Sequence, residues 1–427
     1  MNHDHQNTNV AHQRYQGKIQ LAPKVPVRSL ADFEVWYTPG VAEPCRTIAA
    51  QPGSAWELTN RGNTVAIVSN GTRVLGLGDI GPAAALPVME GKALIFKHFG
   101  GVDAVPLVLD AADSETLIAT VKAVAPSFGG INLEDISQPQ CFEILQQLTA
   151  MLEIPVWHDD QQGTATVVLA AVQNALRLVG KVLSRVKIAM IGMGAANVAN
   201  YRLLTAAGAD PAGIVACDVR GTLHPGRADL EAVAAIAPQW SICQASNAER
   251  LIGGNAEAIR GADLLIAFSH PGPETLSAAW IAQMAPDAIV IAGANPIPEI
   301  WPQVAHAAGA RIVGTGRSDF PNQVNNALAF PGIFRGVLDV QASAMPDELA
   351  IAAAAELARR VDVQGLRADH ILPTLDEEHV AERVAVATAG AAQELGLARR
   401  PATAEELRTR IRATIARARR LEEVTML

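Results

Sequence analysis

A chain of 427 residues, 49% of them hydrophobic, is long enough for two sizeable cores and too apolar to stay disordered. Its 43 acidic residues outnumber 34 basic ones for a formal charge of −9, and no basic block precedes the C-terminal helix, so nucleic acid is not an expected partner. The mean hydropathy of +0.17 comes from alanine-rich stretches broken by charge, proline and glycine. No run approaches the roughly 20 apolar residues that cross a bilayer, so no membrane is expected either.

The first 14 residues are polar, carry His3, His5 and His12, and lack the apolar core of an export signal. Cys45, Cys141, Cys217 and Cys243 are widely separated, with no Cys-x-x-Cys pair. They read as reduced residues of a soluble, cytoplasmic protein. The first 20 residues look like a loose arm. Beyond Gly17, short apolar strands (64–69, 103–108, 130–133 and 155–158) alternate with helical stretches, among them 141–152 with its apolar face at Phe142, Leu145, Leu148 and Leu152. A long helix from Thr164, apolar at Val168, Val172, Ala175 and Val179, stops at Gly180-Lys181. Strand, turn and helix then repeat, with strands at 187–191, 214–217, 264–268, 288–292 and 311–313. Several are continuous apolar runs, the mark of a parallel sheet covered on both faces. From Pro331 the chain reads as helical, ending in a helix over 404–421 with an arginine-rich face. The predicted class is α/β: an N-terminal α/β unit over 15–160, a doubly wound, Rossmann-type unit over 163–395, and a C-terminal helical segment over 396–427.

The strand at 187–191 runs into Gly192-Met193-Gly194-Ala195-Ala196-Asn197 and a helix, and Asp218 follows the next strand. A first glycine allows the tight turn, a second lets the backbone approach a pyrophosphate, and the helix N-terminus offers free N–H groups. That context points to a dinucleotide, NAD or NADP. Asn197 occupies the position where a small residue ordinarily permits close packing of helix on strand. Asp218 by itself favours NAD⁺, whereas Arg220 and Arg227, in the loop that follows, suit a 2′-phosphate. The reading leans to NADP⁺ through Arg220, with Asp218 turned aside.

Upstream stand Asn132-Leu133-Glu134-Asp135-Ile136 and Trp157-His158-Asp159-Asp160. Adjacent side chains on a strand point to opposite faces, so Glu134 and Asp135 converge on one ion only where the strand ends in a turn. Asp160 lies at a second strand end, with Asp159 facing another way. Three oxygens from Glu134, Asp135 and Asp160 suit an octahedral Mg²⁺ or Mn²⁺ with room for substrate and water. The same carboxylates can equally cap helices or pair with lysines. Tyr37, Arg73 and Lys92 are polar residues in apolar settings. A lysine desolvated in a cleft has its pKa lowered and can act as a base, although each of the three also has an ordinary structural reading. His158 is expected to make a local hydrogen bond.

Together these segments resemble the malic enzymes, in their short bacterial and archaeal form. The resemblance runs from about Gly17 to Asp339. It includes Tyr37-Thr38-Pro39-Gly40-Val41, Gly76-Leu77-Gly78-Asp79-Ile80-Gly81, Pro87-Val88-Met89-Glu90-Gly91-Lys92-Ala93, the 128–136 and 158–165 blocks, and Gly316-Arg317-Ser318-Asp319-Phe320-Pro321-Asn322-Gln323-Val324-Asn325-Asn326. It implies oxidative decarboxylation of (S)-malate to pyruvate and CO₂ by a homodimer that needs NAD⁺ or NADP⁺ and a divalent cation. By the same resemblance Glu134, Asp135 and Asp160 hold the metal, Lys92 is the base, Asp159 orients it, and Tyr37 protonates the enolate. Arg73, Asn295 and Asn326 bind substrate, and Thr164 and Asn295 join the turn residues on the coenzyme. Trp36, Gln162, Phe320 and Asn197 depart from the usual pattern. The acetyltransferase-like extension of some bacterial relatives is not in this sequence, so regulation by acetyl-coenzyme A is not implied. Two other readings are a decarboxylating dehydrogenase of another substituted 2-hydroxy diacid and a non-catalytic paralogue that binds nucleotide or malate.

Overall fold

The computed structural model describes residues 8–425. Two sheets organise the chain. The first is parallel, in the order β2-β1-β3-β4, from β1 (Thr64–Ser69), β2 (Asp103–Val108), β3 (Gly130–Leu133) and β4 (Val156–His158). The second has the order β10-β9-β8-β5-β6-β7, from β5 (Ile188–Ile191), β6 (Ile214–Asp218), β7 (Gly221–Thr222), β8 (Leu264–Ala267), β9 (Ile289–Ala292) and β10 (Ile312–Thr315). Its pairings are parallel except for β7, a two-residue antiparallel edge that the sequence did not suggest. The order reverses between β5 and β8, which makes a doubly wound sheet with its switch point beside the Gly192 turn. Strands β5, β8, β9 and β10 are buried throughout, as their unbroken apolar runs require when helices cover both faces.

The helices that matter for the site are α1 (Pro82–Gly100), α2 (Ser114–Val124), α3 (Gln140–Met151), α4 (Thr164–Leu178), α5 (Ala195–Ala206), α6 (Phe330–Asp339), α7 (Asp347–Gln364), α8 (Val380–Glu394) and α9 (Ala404–Thr425). In α3 the buried positions are Cys141, Ile144, Leu145 and Leu148, a face rotated slightly from the expected one; Phe142 and Leu152 are half-buried. Helix α4 packs on both α5 and α7, and α6 crosses α8. That crossing is close because Gly332 and Gly336 present no Cβ, which would meet the Ala381 and Ala385 carbonyl oxygens at 2.6 and 2.4 Å. Helices α6 and α9 both pack against α1, so the segment after residue 330 leans back on the first sheet.

The N-terminal region differs from the sequence reading. Instead of a loose arm there is a helix at Thr8–Tyr15, and residues 17–63 contain short helices, at Asp32–Trp36 and Ala42–Ala50 among others, with no strand. No residue of these three helices is buried. Their apolar side chains reach no core, so periodicity had little to report. Among the described residues no helix is long and apolar enough to cross a membrane.

The joint between α1 and α6 is aromatic: the Phe96 ring lies 4.6 Å from that of Phe330 and 5.2 Å, edge-on, from that of Phe334, all fully buried. Phe334→Ala should therefore cost about 3–5 kcal/mol, through lost burial and the cavity left behind. Urea unfolding measures this, and a loss below about 1 kcal/mol would mean that the joint relaxes around the gap.

Candidate active site

Lys92 sits in the middle of α1, on the face turned to the first sheet, and is 8% exposed. Burying an ammonium is costly unless it is paired, and two carboxylates pair it. Its Nζ donates to Asp159 Oδ2 and lies 2.9 Å from Glu134 Oε1, while the face of the Phe330 ring, 4.1 Å away, closes a third side. Desolvation alone would lower its pKa, as the sequence reading supposed. Asp159 and then Glu134 outweigh that burial, so the pKa is held above the ordinary lysine value. The expectation of a lowered lysine pKa is thus corrected, because neither carboxylate is near Lys92 in the sequence.

Asp159 is fully buried. Its other oxygen accepts from Trp157 Nε1 at 3.1 Å. The chain leaves β4 in a single π-helical turn, Asp159–Gly163, that tucks the Asp159 carboxylate over Gly163. A Cβ at 163 would lie 1.9 Å from Asp159 Oδ1. Glu134 begins the turn after β3, and its second oxygen accepts from Asn132 Nδ2 at 2.9 Å. The chain bends sharply at Asp135, which takes a left-handed φ of 52°, and the Asp135 N–H donates to Asp160 Oδ2 at 2.9 Å. That is the turn the carboxylates needed in order to converge.

Asp135 Oδ2 is buried with no hydrogen-bond partner, and burial followed by the nearby Asp160 pushes this carboxyl up to about 8. Among the described residues no group of three or more His, Cys, Asp or Glu side chains stands arranged to hold an ion as it is. The donor set fits a hard divalent cation all the same. It consists of oxygen ligands only, with excess negative charge and one orphaned carboxylate oxygen, and Lys92 supplies the positive charge nearest to it. His158 does not make the local hydrogen bond expected of it. Both ring nitrogens are buried and unbonded, the nearer 3.7 Å from Asp160, and burial lowers the ring to about 4.

The second sheet faces this cluster with its strand ends. Gly192 adopts φ 85°, and a Cβ there would strike Phe268 O at 2.5 Å, whereas a Cβ at Gly194 would meet nothing within 4 Å. The first glycine serves the tight turn and the second leaves open space where a pyrophosphate would approach, so the turn fits a dinucleotide. Ala195 and Ala196 start α5, and Asn197 is buried. Its amide donates to the Ile191 and Gly192 carbonyls at 3.0 and 2.9 Å, binding helix to strand where a small residue would only allow contact. Thr164 is half-buried at the start of α4. Asn295 is exposed in the loop after β9, and Asn326 opens a 3-10 turn that packs against 159–163. Arg73 is exposed beside the cluster: its N–H donates to the Asp135 carbonyl at 3.1 Å and its Nη1 to Leu75 O at 2.7 Å. A Cβ at Gly76 would meet Asn295 O at 3.2 Å, so the loops of Arg73 and Asn295 touch.

The Asp218 carboxylate is turned to Arg227, which holds both its oxygens. Tyr37 stands apart from the cluster, 69% exposed, and its phenol makes no hydrogen bond among the described residues. Sequence reasoning missed the parts played by Trp157, Gly163 and Phe330, and it missed Glu299. That buried carboxylate accepts from the Ser269 N–H (2.8 Å), the Ser269 hydroxyl (3.2 Å) and the Ala294 N–H (3.0 Å), stapling the loops that follow β8 and β9. A charged residue between Pro298 and Ile300 was the available signal.

The N-terminal domain model of the malic enzymes matches residues 16–118 and 111–149, and their NAD binding domain model matches 308–393. The NAD-dependent malic enzyme of Geobacillus stearothermophilus is 48% identical over 385 residues, covering 90% of this chain and 78% of that protein. The chain belongs to the malic enzyme family. The NADP-dependent malic enzyme of Halomonas elongata is 41% identical over 90% of this chain and 92% of its own length. The crystal structure of the Entamoeba histolytica malic enzyme superposes with a TM-score of 0.94 at 43% identity, over 98% of this chain and 87% of that one. As an oxidoreductase family with coenzyme dependence of both kinds, it accounts for the pairing of a carboxylate cluster with a dinucleotide turn.

The placement of Asp159 over Gly163 yields a direct test. Gly163→Ala should displace the carboxylate from Lys92 and cut kcat by about 10²-fold or more, with the far-ultraviolet circular dichroism unchanged. A parental kcat would show that Lys92 does not need Asp159 in that position.

Proposed function

We propose that this malic enzyme family member catalyses the divalent-cation-dependent oxidative decarboxylation of (S)-malate to pyruvate and CO₂, reducing NADP⁺ in preference to NAD⁺. The observation that carries the reading is the buried Lys92, paired with Asp159 and Glu134 beside a carboxylate cluster, with the helix that follows the Gly192 turn packed on the 159–163 turn that carries Asp159. Glu134, Asp135 and Asp160 would hold Mg²⁺ or Mn²⁺. Once committed there, Glu134 leaves Lys92 with Asp159 alone. The cation would polarise the 2-oxygen of malate, and the nicotinamide would take hydride from C2.

The chain's own residues do the rest. Arg73 and Asn326 bind and orient malate, and Asn295 sits between substrate and coenzyme. Thr164, Ala195 and Ala196 join the glycines on the coenzyme. Lys92, which must first give up its own proton once Glu134 is drawn to the cation, then takes the proton from the 2-hydroxyl as the ketone forms. The C3–C4 bond then breaks, CO₂ leaves, and its electron pair enters the enolate, which is protonated at C3. Tyr37 is the proposed acid, which requires its arm to be covered. Leu30, Phe33, Val35 and Trp36 are exposed on the same arm, and this supports a homodimer in which a second copy covers them. Residues 15–160 then supply metal and base, 163–395 the coenzyme site, and the C-terminal segment, through α9, a brace against α1. A soluble, cytoplasmic enzyme is the matching setting.

Two variants separate the roles. Asp160→Ala should lose both malate oxidation and the decarboxylation of added oxaloacetate, since both need the cation. Lys92→Ala should lose malate oxidation by about 10²–10⁴-fold and leave oxaloacetate decarboxylation the less impaired of the two. Parental oxaloacetate decarboxylation by Asp160→Ala, with unchanged Mn²⁺ dependence, would remove it from the ligand set.

A further inference from the structure

Asp218 ends β6, at the position where an acid of this fold ordinarily receives the 2′- and 3′-hydroxyls of the adenosine ribose. Here the carboxylate is already engaged. Arg227, 7% exposed, donates from Nη1 to Asp218 Oδ1 at 3.0 Å and from Nη2 to Asp218 Oδ2 at 2.6 Å. The Arg220 N–H adds a second donor to Oδ1 at 2.8 Å. Each carboxylate oxygen has two lone pairs, so Oδ1 is filled and a single position remains on Oδ2. Two ribose hydroxyls cannot both be received unless Arg227 withdraws.

Arg227 is strongly held. Its Nε and Nη2 donate to the two oxygens of Asp229, each at 2.8 Å, and Nη1 also reaches the Thr222 carbonyl at 3.4 Å. The guanidinium is a buried fork between two carboxylates, an arrangement in which arginine outperforms any other cation. Arg220 is held quite differently. Its side chain is 68% exposed and among the described residues is tied only to Asp229, at 3.2 Å, and an exposed pair of that kind contributes little. The two aspartates and two arginines sum to zero charge. A 2′-phosphate would therefore meet no net negative charge, and Arg220 is free to turn to it.

We infer that Arg227 determines coenzyme choice: by occupying Asp218 it withdraws the ribose acceptor and screens its charge, leaving Arg220 to grip a 2′-phosphate. This rests on the reading that the Gly192 turn holds a dinucleotide. Arg227 is a positioning residue, acting through Asp218, and the alternative is a plain structural brace for the β6–β7 edge.

Equilibrium titration of NADPH and NADH by nicotinamide fluorescence, without malate or metal, separates these. The wild type should bind NADPH at least about tenfold more tightly, the worth of one good charged contact. Arg220→Ser should lose most of that preference and leave NADH within about twofold. Arg227→Met should weaken NADPH and tighten NADH, because Asp218 is released to repel phosphate and accept hydroxyls. Asp218→Asn, which keeps an oxygen for Arg227, should leave NADH binding unchanged, and this arm decides the matter even if Arg227→Met does not fold. A wild type that prefers NADH, equal weakening of both nucleotides by Arg227→Met, or loss of NADH binding in Asp218→Asn would each overturn the proposal while leaving the malate reading intact. Failure to bind either nucleotide would overturn the dinucleotide reading itself.

Discussion

One buried cation organises the first half of this molecule. An ammonium taken out of water must recover its lost hydration from fixed partners, and Lys92 recovers it from Asp159, Glu134 and the Phe330 ring. Each partner comes from a different element: the turn after β4, the turn after β3 and the start of α6. Satisfying Lys92 therefore fixes the two strand ends that carry the carboxylates and draws α6 onto α1. Gly163 and Trp157 exist in this scheme to hold Asp159 in place, one by absence of a side chain and the other by a hydrogen bond. The same arrangement leaves the Asp135 carboxyl buried with an oxygen that no hydrogen bond satisfies and with Asp160 beside it, which a divalent cation would answer.

The second sheet contributes a different kind of order. Its glycine turn is shaped by backbone alone, through a positive φ at Gly192 and open space at Gly194, and Asn197 and Glu299 tie the surrounding loops with hydrogen bonds. Gly76 lies against Asn295 and the Asn326 turn packs on 159–163, so the loops at the ends of the two sheets are in contact, and the proposed reaction needs a cleft where they meet. In the proposed reaction that cleft is where hydride, proton and CO₂ leave the same four-carbon substrate.

Strands were the most legible part of the sequence. The runs at 64–69, 103–108 and 130–133 are fully or largely apolar and bounded by turn residues, and the structure keeps those limits. The second sheet was readable for the same reason, apart from β7, whose two residues carry no periodicity. Strand geometry also called for a turn at Glu134 and Asp135 if their carboxylates were to share an ion, and the left-handed φ of Asp135 supplies that turn. What could not be read was anything set by distant neighbours. Lys92 looks like a desolvated lysine until Asp159 and Glu134 are placed beside it, and Asp218 looks free until Arg227 folds back on it. The N-terminal helices were misjudged because their apolar residues meet no core within the chain.

The central claim is that one cleft couples hydride removal to loss of CO₂ under control of a divalent cation. Product stoichiometry from (S)-malate tests it most directly, with pyruvate, CO₂ and reduced coenzyme counted in the same reaction with Mn²⁺ and again with a chelator. The account predicts one of each product per malate consumed, and none of them once the cation is removed. Reduced coenzyme without CO₂, CO₂ without reduced coenzyme, or full turnover in the presence of chelator would contradict it.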